Sequence, residues 1–341
     1  MDHRNPTLKD VADAAGVHRA TASRALNNDP RITEATRLRV LEAAEQLGYR
    51  VDPLVSLLMS HRRTATTPAF QGVIAYVTRY ETPGAWQEFS ESFTRIHRGA
   101  ASAAERHGYV LEEFCVPPVK GAVATFQRVA LARGIQCVLL APLPRPNGHL
   151  RLEWDKFNAI GIGYSLIRPE IHRVATDHFG CLILATRQAR RRGYRRIGVT
   201  LNGQVNERTD RRWLGALLVE HERSRPEERI PPLVTRDWDE GAFQEWYGTH
   251  RPEVIMGVHM YRVADALEKM GLRVPEDVGL ISLELRDREK GMSGIDQNFE
   301  QIGATAVHNV IGMFHRGERG LPLAAQKSLI DGNWVEGSTL R

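Results

Sequence analysis

Residues 7–26, Thr-Leu-Lys-Asp-Val-Ala-Asp-Ala-Ala-Gly-Val-His-Arg-Ala-Thr-Ala-Ser-Arg-Ala-Leu, constrain this 341-residue chain more than any other stretch. Thr7 suits the N-cap of a helix from Leu8 to Ala15. In it Leu8, Val11, Ala12 and Ala15 share an inner face, while Lys9, Asp10 and Asp13 face water. Gly16 supplies a turn, since a residue without Cβ takes positive φ at little cost. A second helix over 18–26 packs Ala22 and Leu26 on the first. Its other face offers Arg19, Thr21, Ser23 and Arg24 to phosphates or base edges. An ordinary αα-corner has the same spacing, but this surface is what a helix-turn-helix presents to a DNA major groove.

The next segments extend the reading. Thr33 is the expected N-cap of a third helix with Leu38, Leu41, Ala44 and Leu47 as its apolar stripe and Gly48 as its end. Asp52 and Pro53 then open a short apolar helix over 53–59, too short to be stable alone in water. Ser60 to Pro68 is polar and reads as a linker. From Gly72 onward, strand-length apolar runs alternate with helical stretches. Gly72–Val77, Val110–Phe114, Cys137–Ala141, Ala159–Gly163, Arg196–Leu201, Pro232–Val234, Glu253–Val258 and Val278–Ser282 are the strands. Helices are expected over 89–107, 125–132, 178–192, 211–222, 240–247, 262–270 and 303–315. Such alternation predicts an α/β architecture, two doubly wound parallel sheets in a bilobed domain.

Charge adds little. Lys and Arg number 46 against 41 Asp and Glu, a net +5, and residues 1–63 hold ten basic against eight acidic side chains. The N-terminal Met-Asp-His-Arg-Asn-Pro is polar and no run has the length of a membrane span, so a cytoplasmic location is expected. Cys115, Cys137 and Cys181 are widely spaced among apolar residues and read as buried thiols, not as metal ligands. No arrangement of nucleophile, base and orienter suggests catalysis, and Gly161-Ile-Gly163 is too short for a dinucleotide fingerprint. No catalytic residue, metal or cofactor is expected.

Leu8 to Val17 followed by Ala20 to Asn27 closely resembles the N-terminal segment of the lac-repressor/galactose-repressor family of bacterial transcription factors. Thr21, Ser23, Arg24, Leu26 and Asn27 match the family pattern, while Ala22 and Ala25 replace Val. Looser similarity recurs at Arg106–Tyr109, Val174–Asp177, Gly193–Gly198, Gly271–Val278 and Gly337–Thr339. The resemblance implies a helix-turn-helix headpiece over 1–50 and a hinge helix with linker over 51–68. It implies an effector-binding and dimerisation domain over 69–341, like periplasmic sugar-binding proteins. Its first lobe is expected over about 69–168 and 298–323, its second over 169–297 and 324–341.

It also implies residue roles. Thr7, His18, Arg19, Ala20, Thr21, Ser23, Arg24 and Asn27 would contact DNA, and Leu58 would wedge into the minor groove at the operator centre. Ligands of open α/β sheets sit beyond the carboxyl ends of the strands. Arg212 matches an effector-binding Arg, Glu284 stands where the family has an Asp, and Gln297 matches a Gln at the lobe crossover. Asn206 and Arg208 follow a strand nearby, and His259 replaces an Asn; Trp86 and Trp238 are candidates to stack on a sugar face. The function expected is a ligand-responsive, sequence-specific transcriptional regulator, read as a repressor. It would act as a homodimer on double-stranded operator DNA with a sugar-like effector and no membrane partner. A periplasmic-type solute-binding protein without regulatory role is the alternative, and an α/β enzyme with a helical extension a third class.

Overall fold

The computed structural model describes residues 6–26, 32–47 and 70–341. The chain divides into two compact units, 1–68 and 69–341.

In the smaller unit, α1 (Leu8–Ala14), α2 (Arg19–Leu26) and α3 (Glu34–Gln46) surround a core of small residues. Thr7 and Asp10 form a reciprocal capping box: the Thr7 hydroxyl accepts from the Asp10 amide (3.4 Å) and the Asp10 carboxylate from the Thr7 amide (2.7 Å). Asp10 therefore has a capping role beyond facing water. Past α1, the Val17 amide donates to the Ala12 carbonyl (2.9 Å) and the Gly16 amide to the Asp13 carbonyl (3.2 Å), a Schellman closure. Gly16 sits at φ +64° with open space where a Cβ would go, so the left-handed backbone itself favours glycine. Val11, Ala12, Ala22, Ala25, Val40, Ala43 and Ala44 are buried, and Leu26 packs against them. Two expectations for α3 are corrected. Its buried stripe is Val40, Ala43 and Ala44, and Leu38, Leu41 and Leu47 are exposed, because the alanine-lined faces of α1 and α2 fit small partners. Thr33 occupies the N-cap but makes no capping bond; its hydroxyl meets that of Thr36 (2.9 Å).

The larger unit begins with β1 (Gly72–Thr78), α4 (Ala85–Phe89), α5 (Glu91–Arg106), β2 (Tyr109–Cys115), α6 (Ala122–Ala132) and β3 (Cys137–Leu140). It continues through β4 (Gly148–His149), β5 (Asn158–Ile162), β6 (Leu166–Arg168) and β7 (Arg173–Thr176). The chain then crosses to the second lobe with α7 (His178–Arg191), β8 (Ile197–Asn202), α8 (Gly203–Arg208), α9 (Arg212–Glu222), β9 (Leu233–Thr235) and α10 (Glu240–His250). There follow β10 (Val254–Gly257), α11 (Met260–Lys269), β11 (Gly279–Ser282) and β12 (Gly294–Asp296). A return through α12 (Phe299–Arg316) and β13 (Lys327–Ile330) ends in β14 (Asn333–Val335), back in the second lobe.

The first sheet has the order β13-β7-β5-β3-β1-β2 and is parallel throughout; the second, β14-β12-β11-β10-β8-β9, is parallel except for antiparallel β14. Every residue of β3, β5, β7, β10 and β11 is buried, as strands covered on both faces require. The α/β fold with two doubly wound sheets is thus the one expected, with an antiparallel edge added. The lobes divide differently. Gly161 pairs with Arg173 and Lys327 also pairs with Arg173, so β7 and β13 belong to the first sheet. The crossings therefore fall near residues 177 and 331, beyond the expected divisions at 168/169 and 323/324.

Helices α5 and α12 cover one face of the first sheet and cross at two glycines. A Cβ on Gly99 would collide with the Glu300 carbonyl, and one on Gly303 with the Ile96 carbonyl. At the lobe crossover Arg95 pairs with Asp296 (3.0 Å) and Glu300 (2.8 Å).

Candidate functional site

Helix α2 turns Ala22 and Ala25 inward and leaves Arg19, Ala20 and Arg24 exposed, with Thr21 and Ser23 partly so. Exposed His18 accepts the Ala20 amide on Nδ1 (3.3 Å) and so caps the helix as well as flanking this face. Thr7 is exposed at the start of α1. Seven of the expected DNA-contacting residues therefore share one small unit, and the two arginines and two hydroxyls on α2 are donors. Asn27, Gly48, the segment 53–59 and Leu58 lie outside the described residues.

In the larger unit the carboxyl ends of both sheets open on one cleft. The first lobe contributes Tyr164 and Ser165 after β5 and Thr176 at the end of β7; the second contributes His178, Arg208, Glu284 and Gln297. Gln297 is buried and its side chain donates to the Leu283 carbonyl (2.7 Å). Glu284 is buried too and accepts from Arg286 Nη2 (2.6 Å) and Nε (3.1 Å). Burial pushes its pKa up, but Arg286 and the neighbouring histidines outweigh this, and the carboxyl is held below the usual carboxylate range. His178 lies between Trp213 (ring centroids 4.7 Å) and Tyr164 (6.0 Å), and its Nδ1 is 2.8 Å from the Thr176 carbonyl. A carbonyl only accepts, so Nδ1–H donates, which leaves Nε2 as an acceptor. Burial pulls the His178 pKa down to about 4 and keeps the ring neutral near pH 7.

Arg212, at the start of α9, lays its guanidinium over the Tyr164 ring (4.3 Å) and reaches Asp210 (3.2 Å), while its Nε is sealed from solvent and unpaired. Arg208 crosses the faces of Phe89 and Phe93, 5.1 Å from each. Asn206 is buried with its Oδ1 unpaired. Arg212 and Asn206 are not among the residues that line the cleft, and Trp86, Trp238 and His259 fall elsewhere. Trp86 is core, packed on Tyr76 (5.7 Å) and His97 (4.8 Å), because α4 folds back under the first sheet. His259 caps α11 at φ +58° and lines a neighbouring recess with Trp238, Asn202 and Arg262; burial and Arg286 pull its pKa down to about 4. Tyr164, His178 and Trp213 were not singled out in the sequence; their signal is a polar or aromatic residue directly after a strand or beside the matched Arg. Burial pushes the Cys137 and Cys181 thiols up to about 12. Among the described residues no three His, Cys, Asp or Glu side chains gather where they could hold a metal ion.

A helix-turn-helix unit joined to a two-lobed α/β domain with a polar cleft defines a class of ligand-binding regulatory protein. Residues 7–52 match the family model described as bacterial regulatory proteins, lacI family, and residues 186–340 a periplasmic binding protein-like domain. The chain carries a lacI-family DNA-binding domain and a periplasmic-binding-protein-like domain, and it is a transcriptional regulator. It is 25% identical over 328 residues to the HTH-type transcriptional regulator PtxS of Pseudomonas putida, covering 92% of this chain and 91% of that one. Its fold resembles that of the lac repressor dimer bound to operator and the anti-inducer ONPF (TM-score 0.55, 19% identity, 99% and 100% covered). It also resembles the transcriptional regulator CelR–cellobiose complex (TM-score 0.57, 18% identity, 98% and 99% covered). No described helix is long and apolar enough to cross a membrane.

Proposed function

We propose that this protein is a cytoplasmic repressor, not an enzyme, that binds a two-fold operator as a homodimer and responds to a small sugar-like effector. The observation that carries the DNA half is the exposed Arg19, Ala20 and Arg24 face of α2, stabilised by a capping box and a Schellman turn. One such helix covers few base pairs, so useful specificity needs two half-sites and two copies. In this reading residues 1–50 read DNA, with Thr7, His18, Thr21, Ser23 and Asn27 supporting contacts to phosphates and base edges. Residues 51–68 form hinge and linker with Leu58 as the minor-groove wedge, and 69–341 bind effector and dimerise. Exposed Leu218 and Val219 on α9 and Val234 on β9 give the second lobe apolar surface for self-association. A solute-binding protein would have no use for the first unit.

The effector half rests on the cleft. Arg212, Arg208, Asn206, Glu284 and Gln297 are its proposed polar contacts, with His178 Nε2 accepting a ligand hydroxyl; Trp86 plays no part. Contacts already span the cleft: Glu91 accepts from the Asp287 amide (3.1 Å), and Arg212 and Arg208 lie over first-lobe rings. A ligand between the lobes changes their balance by its differential affinity for the two arrangements. Selection of bound sequences from random duplex DNA with the full-length protein tests the reading. It should yield a pseudo-palindrome, and Arg19→Ala should relax preference at one position per half-site, by about 1–3 kcal/mol of discrimination. Uniform weakening on all sequences would make Arg19 a phosphate contact only.

A further inference from the structure

The charged groups of the cleft do not balance. Arg208 and Glu284 are the charged side chains that line it, and Glu284 is neutralised by Arg286 at 2.6 Å. Arg208 makes no hydrogen bond or ion pair with any described residue. Its guanidinium rests on Phe89 and Phe93, and its Nε is sealed from water. The carboxylate that acts on it is Glu284, which Arg286 already holds. Near the cleft the donors Arg212 Nε and Trp213 Nε1, the Tyr80 and Tyr164 hydroxyls, which can donate or accept, and the acceptor Asn206 Oδ1 lack partners. A half-buried cation with no ion-pair partner is costly unless an anion completes the site.

We infer that the cleft takes a sugar-sized polyhydroxy acid, whose carboxylate is recognised by the Arg208 guanidinium and whose hydroxyls meet His178 and Gln297. This rests on the cleft being the effector site. One uncompensated positive charge matches one carboxylate. A phosphate monoester, with a charge near −2 at neutral pH, would leave about one negative charge unmatched. A planar guanidinium against a carboxylate also gives two parallel charge-assisted bonds with fixed geometry.

The test is calorimetric titration of the full-length protein with hexuronates and aldonates, with the matched neutral hexoses, and with hexose 6-phosphates. Arg208→Gln and Gln297→Ala are titrated alongside, their folding checked by circular dichroism. The expected result is an acid that binds at least about tenfold more tightly than its neutral partner. Arg208→Gln should cost that acid about 10- to 100-fold, at least about tenfold more than it costs the matched neutral sugar, while Gln297→Ala weakens acids and neutral sugars alike. The inference is overturned if neutral sugars or phosphates bind as well as acids, if Arg208→Gln leaves acid affinity unchanged, or if no acid binds at millimolar concentration. An acid that binds but is indifferent to both substitutions defeats the effector-cleft reading itself, which separates the two failures.

Discussion

Replacing Gly303 by Ala poses a question of sign. Gly303 lies inside α12, where Ala is favoured over Gly by about 1 kcal/mol through backbone entropy and propensity. Its ideal Cβ, however, would sit inside the Ile96 carbonyl and close to the Ala100 amide (2.7 Å), both backbone atoms of α5 that cannot rotate aside. The helices must separate, and they carry buried Ile96, Ala100, Ala103, Phe299, Ile302, Ala306 and Val307 between them and the first sheet. Overpacking of this kind costs about 1–3 kcal/mol, and backbone against backbone belongs at the upper end. The net expectation is destabilisation by about 1–2 kcal/mol, a fall in Tm of about 2–8 °C for a domain of this size. Gly248, inside α10 with no atom within 4 Å of its ideal Cβ, is the control: Gly248→Ala should gain a few tenths to about 1 kcal/mol. Urea unfolding and differential scanning calorimetry of the full-length protein measure both. A Gly303→Ala protein as stable as Gly248→Ala would refute the close crossing of α5 and α12.

Three further outcomes follow from named contacts. Thr7→Ala removes one half of the capping box and should lower the stability of the small unit by about 1 kcal/mol, read as weaker operator binding on every sequence alike. His178 and His259, both pulled to about 4 in the folded chain, stay neutral where the unfolded chain binds protons. Their contribution is present above pH 6.5 and is lost as pH falls from 6.5 toward 4, so Tm should decline over that window and less so in His178→Asn. Glu300, held down at about 2 against burial by Arg95 and Arg98, acts lower still: its contribution is lost only below about pH 4.5, and since its side chain is 37% exposed, Glu300→Gln should cost no more than about 1 kcal/mol at pH 7 by urea titration.

The helix-turn-helix was legible because its determinants are local: a cap, a glycine and apolar positions at helical spacing. The long buried strands were legible for the same reason, since runs such as Cys137-Val-Leu-Leu140 need no partner to be read. What escaped depends on distant partners. β7, Arg-Val-Ala-Thr, starts on a charged residue whose Nη1 donates to the Gly163 and Leu166 carbonyls, so it looks polar in sequence yet is wholly buried. β12, β13 and β14 are three or four residues long, and exist because the lobes' sheets offer them edges. In α3 the bulkier leucines drew attention from Val40 and Ala43, although the facing surfaces are lined by alanine. At the site, Arg208 and Glu284 were singled out by position after strands and Arg212 and Gln297 by their match to the family pattern, whereas Trp86 was misplaced because a tryptophan after a strand is equally at home beneath the sheet. Tyr164 and His178 become visible only once the two lobes face each other.

In the proposed function, occupancy of the inter-lobe cleft sets operator affinity. The direct measurement is fluorescence anisotropy of a selected operator duplex with full-length protein, at fixed salt, with and without a saturating cleft ligand. Coupling of about 1–3 kcal/mol predicts a change of about 5- to 150-fold in operator Kd. Arg212→Ala should abolish that change while its ligand-free operator affinity stays within about twofold of the parent, since Arg212 lies in the other unit from α2. Equal operator affinity in the parent protein with the cleft empty and saturated would contradict the claim.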